Sequence, residues 1–294
     1  MDKFINKPIF ILGNPRSGTT LLRLMLNNHP NIVIPPECGF IEWLYPKYKN
    51  WDILDDNSKV KSFLKDLAKT KKFETWHLDL EFISKYLSKY NPSTYQELCG
   101  LVYYSFGVEN RKTDIIRWGD KNNYYITRLD VISQIYPNAQ YILMVRDGRD
   151  VSASYKDLTK LETTSIYKPN LPNKIEDIAI EWIQNNKNVL DFFKQINYEN
   201  KYIIYYENIL KNPESELSSI CNYLYLDYDK EMLNYYVDNL KYQIEPKETI
   251  DWKIKTFQKP DVSNIGKYRT QLTDSEINFF NDLANDLMKF FGYL

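Results

Sequence analysis

The sequence predicts an α/β fold with a mainly parallel central sheet flanked by helices. Short, almost continuous apolar runs recur along the chain, and most are followed by a stretch whose apolar residues fall at helical spacing. The scale agrees: 294 residues with 43% hydrophobic and 15% aromatic content can bury a sizeable core. No Pro/Gly/Ser-rich linker divides the chain, so one domain over 1–294 is expected.

The elements follow in order. Pro8 to Leu12 (PIFIL) ends at Gly13, as a strand buried on both faces would. Leu21, Leu22, Met25 and Leu26 then mark one face of a helix that closes at His29-Pro30. Asn31 to Ile34 reads as a second short strand, and Pro35-Pro36 keeps the chain extended before Glu37. Residues 41–104 read as amphipathic helices, with Val60, Phe63, Leu64 and Leu67 on one face and Phe82, Ile83, Tyr86 and Leu87 on another. This segment is expected to shape a substrate pocket.

Ile115 to Trp118 is a third strand running into Gly119-Asp120-Lys121, followed by a helix from Tyr124 to about Ile135. Gln140 to Val145 is a fourth strand, ending in Arg146-Asp147-Gly148-Arg149, and a helix resumes over Val151 to Tyr155. Arg149 and Asp150 are expected to serve that helix start. Lys156 to Lys174 lacks periodicity and reads as a surface loop over a pocket. Ile175 to Ile196 is a helix, Lys201 to Tyr206 a strand, and Pro213 to Leu224 a helix with proline in its first turn. Thr273 with Glu276 forms a capping box for a last helix, whose buried stripe is expected to be Ile277, Phe280, Leu283, Leu287 and Phe290.

Several function classes are disfavoured. Lys plus Arg number 38 against 39 Asp plus Glu, so no global positive excess supports nucleic-acid binding, and any anion site must be local. Cys38, Cys99 and Cys221 are far apart and form no CxxC pair, which argues against zinc and a disulfide framework. The amino-terminal apolar run is shorter than a signal-peptide core and no stretch reaches transmembrane length, so a cytoplasmic protein is expected. His29 and His77 read as structural, and the six tryptophans as core, with Trp43 and Trp76 as unassigned candidates for an acceptor pocket.

Gly13 to Thr20, GNPRSGTT, carries the chemistry. A loop opening a helix presents unpaired N–H groups and the positive end of the helix dipole, which together bind an anion. Its spacing matches the start of the Walker pattern, yet Thr19 stands where that pattern needs lysine. The strand YILMV ends in Arg146 rather than in a metal-holding aspartate, so metal-assisted phosphoryl transfer lacks two of its parts and no metal is expected. Arg16 supplies the cation, Ser17 and Gly18 continue the loop, and Thr19 and Thr20 add hydroxyl donors.

PRSGTTLL after a strand resembles the 5′-phosphosulfate loop of sulfotransferases that use 3′-phosphoadenosine 5′-phosphosulfate (PAPS) and release 3′-phosphoadenosine 5′-phosphate (PAP). YILMVRDGRDVSASY resembles that family's 3′-phosphate site, implying that Arg146 and Ser154 hold this phosphate. YYENIL at Tyr205 to Leu210 resembles a strand-to-helix junction of the family and brings Tyr206 into the nucleotide site, and Gly266-Lys267-Tyr268 resembles its late nucleotide contact. The tyrosylprotein-sulfotransferase-like branch is the nearest. Glu37 stands at the offset from Arg16 where that branch carries its catalytic glutamate, and Lys121 where it carries a lysine that touches the transferring group.

The resemblance therefore implies a sulfotransferase domain over 1–294, with 41–104 as a helical acceptor-side insertion that lies outside the matching motifs. It implies in-line transfer from PAPS to a hydroxyl of a small molecule, sugar, lipid or peptide, with Glu37 as base and Arg16 and Lys121 offsetting charge. A homodimer is compatible with it. The alternatives are a P-loop nucleotide kinase and a non-catalytic nucleotide-binding module.

Overall fold

The computed structural model describes residues 7–52 and 57–294. The first six residues of the amino-terminal reading, and residues 53–56 of the helical insertion, lie outside the described residues. Five strands form an all-parallel sheet in the order β2-β3-β1-β4-β5: β1 (Ile9–Leu12), β2 (Ile32–Val33), β3 (Arg117–Lys121), β4 (Gln140–Val145) and β5 (Lys201–Tyr205).

Alternation along the strands explains the layering. Phe10 and Leu12 of β1, with Tyr141, Leu143 and Val145 of β4, pack into one core, while Ile9, Ile11, Ile142 and Met144 pack into another on the opposite face. β1 and β4 are buried throughout, as strands with helices on both faces must be.

Helix α1 (Thr19–Asn27) returns from β1 on the second face. Residues 40–109 then contribute α2 (Phe40–Tyr48), α3 (Asn57–Leu67), α4 (Leu80–Tyr90) and α5 (Tyr95–Glu109). Phe63, Leu67, Ile83 and Leu87 are buried on the predicted faces. Tyr103 of α5 stacks on Trp118 of β3 with ring centroids 4.3 Å apart, which fastens the insertion to the sheet.

β3 lies later in the chain than the sequence suggests. Ile115 and Ile116 precede it, and Gly119, Asp120 and Lys121 belong to it, because β1 offers ladder partners through the pairs Ile9–Gly119, Phe10–Asp120 and Ile11–Lys121. Polar residues survive there because they are satisfied: Tyr103 and Tyr125 donate to Asp120 Oδ2 at 2.6 and 2.8 Å. The expected helix 124–135 divides at Arg128 into a 3₁₀ turn (Asn123–Thr127) and α6 (Leu129–Ile135).

After β4, α7 runs from Gly148 to Lys160, further than predicted, since buried Leu158 continues the face begun by Val151 and Tyr155. The irregular segment is therefore 161–174. α8 (Ile175–Gln195), β5, α9 (Tyr206–Lys211) and α10 (Pro213–Leu224) follow close to expectation. The sequence reading leaves 225–265 unassigned. It holds α11 (Tyr235–Tyr242) and short 3₁₀ turns, several of which pack against α1, on the way to α12 (Tyr268–Gln271).

The Thr273–Glu276 capping box is present at the start of α13 (Asp274–Leu283). The predicted stripe holds in part beyond it, with Ile277 packed against the core. The helix breaks at Ala284 (φ −96°, ψ 10°), and α14 (Asn285–Phe290) turns a new face inward. Phe280 and Leu287 are buried, Met288 and Phe291 join them, and Leu283 and Phe290 face solvent.

Candidate active site

A cavity of about 350 Å³ opens beyond the carboxyl ends of β1, β3 and β4. That is where parallel α/β sheets place ligands. One wall is the loop after β1. Gly13 must be small, since a Cβ there would lie 2.7 Å from the Met144 carbonyl oxygen. Gly18 adopts φ +94° with the Tyr206 ring against its α-carbon, a conformation that favours glycine. α1 then starts with neither a side-chain cap nor an acidic residue in its first turn. Its N–H groups and dipole are left for an anion.

Arg16 sits at φ 67°, an uncommon conformation for a residue with a side chain. Its Nε donates to Ser154 Oγ at 3.2 Å, and Arg146 Nη1 donates to the Arg16 carbonyl at 2.9 Å. The two anion sites that the sequence separates are thus contiguous. Arg146 also donates to the Asn264 carbonyl at 3.1 Å and lies 4.3 Å from the Tyr206 ring centroid. Burial first, and then the charge of Arg146, lowers the Arg16 pKa from its usual 12.5 to about 10.

Two buried polar atoms here, Ser17 Oγ and Arg146 Nε, have no hydrogen-bond partner among the described residues. Buried donors without partners are costly, and an anion would satisfy them.

The other wall centres on Glu37. Its Oε1 accepts from Lys121 Nζ, and its Oε2 from Lys72 Nζ at 2.7 Å. Burial alone would raise the Glu37 pKa, but the charges of Lys121, Lys72 and Lys253 outweigh it and hold the carboxyl well below its usual range. Burial pushes Lys121, at 1% side-chain exposure, down to about 8. Behind this pair lies a buried cluster: Glu245 pairs with Arg23 at 2.5 Å and with Lys253, and accepts from Thr249 Oγ1 at 2.9 Å.

Most predicted site residues meet at this cavity. Arg16, Gly18, Thr19, Thr20, Glu37, Lys121, Arg146, Ser154, Tyr206 and Lys267 all line it. Ser17 lies just beneath, buried in the loop. Tyr268 does not reach the cavity. Asp150 accepts from its backbone N–H at 3.0 Å, its ring packs on Arg149 at 4.4 Å, and it lines a separate shallow cleft. Asp150 thus ties down the late loop, also accepting from Gly266 N–H at 2.7 Å, while Asp147 caps α7 and pairs with Arg149.

Trp43 and Trp76 are not pocket walls either. Trp43 packs over Gly39, and buried Trp76 donates to the Pro36 carbonyl at 2.9 Å. Trp252 lines the cavity instead. His29 is structural, with Nε2 on the Asp227 carbonyl at 2.8 Å and Nδ1 accepting from Asn31 N–H at 3.1 Å.

The structure adds residues that sequence patterns do not reveal: Lys72, Lys253 and Tyr167, each from a segment without a motif. Tyr167 sits on the 161–174 strap, which crosses the cavity and is held by Tyr167 to Glu74 and by Thr163 to Asp251 at 2.5 Å. The nearest sequence signal is the strap's lack of periodicity.

A profile of the sulfotransferase family matches residues 8–230. Protein-tyrosine sulfotransferase A of Caenorhabditis elegans is 26% identical over 77% of this chain and 52% of its own length. Protein-tyrosine sulfotransferase 2 of Gallus gallus is also 26% identical, over 77% and 53%. The nodulation protein NoeE of Sinorhizobium fredii is 24% identical over 97% and 65%. The chain thus spans about half to two thirds of the length of these relatives. In fold it is similar to the sulfotransferase domain from the curacin biosynthetic pathway, at TM-score 0.61 and 22% identity over 97% of this chain and 98% of that one. Among the described residues, no helix is long and apolar enough to cross a membrane.

Proposed function

This chain belongs to the sulfotransferase family, and on that premise we propose that its cavity moves a sulfo group from PAPS to an acceptor hydroxyl. The observation that carries the proposal is the Glu37–Lys121 pair, set in the same cavity as the Arg16 loop and the Arg146–Ser154 cluster. PAPS supplies an activated sulfo group on a leaving phosphate, and the remaining chemistry belongs to side chains.

Arg146 and Ser154 hold the 3′-phosphate, the handle that separates this nucleotide from ATP, and the unpartnered Arg146 Nε gives the guanidinium a spare donor for it. Ser17 to Thr20 and the start of α1 hold the 5′ end, with Arg16 between the two. Tyr206 and Lys267 complete the nucleotide side.

Glu37 is ionised in the resting site and takes the acceptor proton. Lys121, buried and positive, offsets charge that builds on the sulfuryl and leaving oxygens. Each role follows from chemistry that needs no metal ligand among these residues. The kinase alternative is not favoured: Thr19 occupies the place of the phosphate-binding lysine and its hydroxyl faces Asn123 Oδ1 at 3.3 Å. The three cysteines are buried free thiols, which fits the cytoplasmic expectation.

The acceptor is a hydroxyl-bearing molecule of open class. Incubating cell extract with the protein and sulfur-labelled PAPS, then identifying the labelled product by mass spectrometry, tests the reading. A labelled product with wild type and almost none with Glu37→Gln supports it. Label transferred equally by both removes Glu37 from the role.

A further inference from the structure

Lys72 reaches Glu37 from a segment that is bolted to the Glu37 turn on both sides. Ahead of it, the Cys38 thiol meets Thr70 Oγ1 and the Lys71 carbonyl, each at 3.6 Å. Behind it, Trp76 Nε1 donates to the Pro36 carbonyl at 2.9 Å. The Lys72 backbone sits at φ 73°, left-handed and uncommon for a lysine, and its carbonyl accepts from Thr75 N–H at 3.1 Å and Thr75 Oγ1 at 2.7 Å. Strained backbone held by many contacts marks a side chain whose position matters. The strap adds the Tyr167 ring, with its centroid 6.0 Å from Lys72 Nζ.

The two lysines on Glu37 are not equivalent. Lys121 comes from the sheet and is 1% exposed, whereas Lys72 is 23% exposed and stands on the insertion side. An incoming acceptor can displace Lys72 and leave Lys121 in place. The charged and titratable groups facing Glu37 are Lys121 from β3, Lys72 from residues 70–76 and, further off, Lys253 from the turns after α11, together with the Asp120 carboxyl of β3, which burial first, and Glu37 among its neighbours, raise to about 7. Of these, only Lys72 occupies Oε2.

We propose that Lys72 is a positioning residue that latches the Oε2 edge of Glu37, keeping the carboxylate a weak base until an acceptor hydroxyl enters between them. The latch rests on the reading of Glu37 as base. It suppresses a wasteful reaction in which water takes the place of the acceptor. There the water oxygen bonds to sulfur, the bond from sulfur to the 5′-phosphate oxygen breaks, PAP leaves with that electron pair, and the water proton passes to Glu37, giving sulfate.

The test uses the whole chain with Lys72→Met, Lys72→Gln and Lys72→Arg, each checked for a wild-type melting curve. Carboxyl-¹³C glutamate labelling, with the Glu37 resonance assigned through Glu37→Gln, follows its titration in the protein alone. Removing one of two adjacent positive charges should move the midpoint up by about 1–2 pH units in the Met and Gln variants, and Lys72→Arg should restore most of the difference. With sulfur-labelled PAPS and no acceptor, sulfate release should rise several-fold in Met and Gln and stay near wild type in Arg. A Glu37 midpoint unmoved by Lys72→Met, or sulfate release that does not rise, overturns the latch. Failure of PAP to bind wild type by calorimetry would instead strike the sulfotransferase reading, since the titration needs no nucleotide.

Discussion

The nucleotide-side wall of the cavity draws on residues a few positions past strand ends: Gly13 to Thr20 after β1, Arg146 after β4, and Ser154 two turns into α7. The wall around Glu37 is assembled from distant pieces. Lys72 from the insertion, Lys121 from β3, Lys253 from the late turns and Tyr167 from the strap converge there across up to 181 positions of sequence, the span from Lys72 to Lys253. On the first wall Lys267 pairs with Asp157 at 3.0 Å, but its two arginines carry no such counter-charge. Among the described residues, Arg16 and Arg146 have carbonyl, hydroxyl and ring partners but no carboxylate. In the second the cations are ion-paired, with Glu37 and Glu245 each gripped by two of them. Arginines without a carboxylate partner are suited to holding a multiply charged ligand, and a carboxylate held between two cations to acting as a proton acceptor when one of them moves.

The largest expected break of this contrast is Glu37→Gln. Transfer should fall about 10²- to 10⁴-fold, the usual contribution of a general base, while PAP affinity stays near wild type. Single-turnover kinetics with labelled PAPS, paired with calorimetry, reads both. Parallel losses would place Glu37 on the binding side instead.

Next in size is Glu245→Gln, which leaves Arg23 and Lys253 buried without their counter-charge. Stability at neutral pH should drop by about 3–5 kcal/mol in urea unfolding. The same variant sharpens the acid side. Burial opposes ionisation of Glu245, but Lys253 and Arg23 overcome it and lower its pKa from the usual 4.5 to about 2. A carboxyl depressed in the folded state contributes stability that is complete above 4.5 and is lost as pH falls through about 2. Urea midpoints across that window should show a shallower decline in Glu245→Gln than in wild type, and equal declines would contradict the assignment.

Arg146→Ala addresses the opposite wall. Loss of a charge-assisted contact to the 3′-phosphate, about 1.5–3 kcal/mol, should weaken PAP roughly 10- to 100-fold and leave 5′-AMP almost unchanged. A variant that still prefers PAP over 5′-AMP would sink the 3′-phosphate assignment. The smallest effect is expected from Ser154→Ala, a neutral hydroxyl donor of about 0.5–1.5 kcal/mol, read as a PAP affinity weakened roughly 2- to 10-fold.

The contrast also explains what the sequence discloses. The order of strands and helices, the anion loop and the Arg146–Ser154 spacing are local patterns, so apolar periodicity and short motifs report them. Glu37 is reachable through its offset from Arg16. Lys72 and Lys253 are ordinary lysines in sequence, and their roles exist only once Trp76 docks on Pro36 and Glu245 meets Arg23. Tyr268 lies outside the cavity lining, its backbone N–H held by Asp150, and no local pattern reports that long-range contact. Of the carboxyl-terminal stripe, Phe280 and Leu287 face inward, while Phe290 lies past the interruption at Ala284 and faces solvent.

The central claim is that the Arg16 loop and the Arg146–Ser154 cluster together select a nucleotide carrying phosphates at both the 5′ and 3′ positions. Titration calorimetry of the wild-type chain with PAP, 5′-AMP and ATP tests it most directly. PAP should bind at least tenfold tighter than 5′-AMP, with ATP no better than 5′-AMP whether or not Mg²⁺ is added. Equal affinities for PAP and 5′-AMP, or tightest binding of ATP with Mg²⁺, would contradict it.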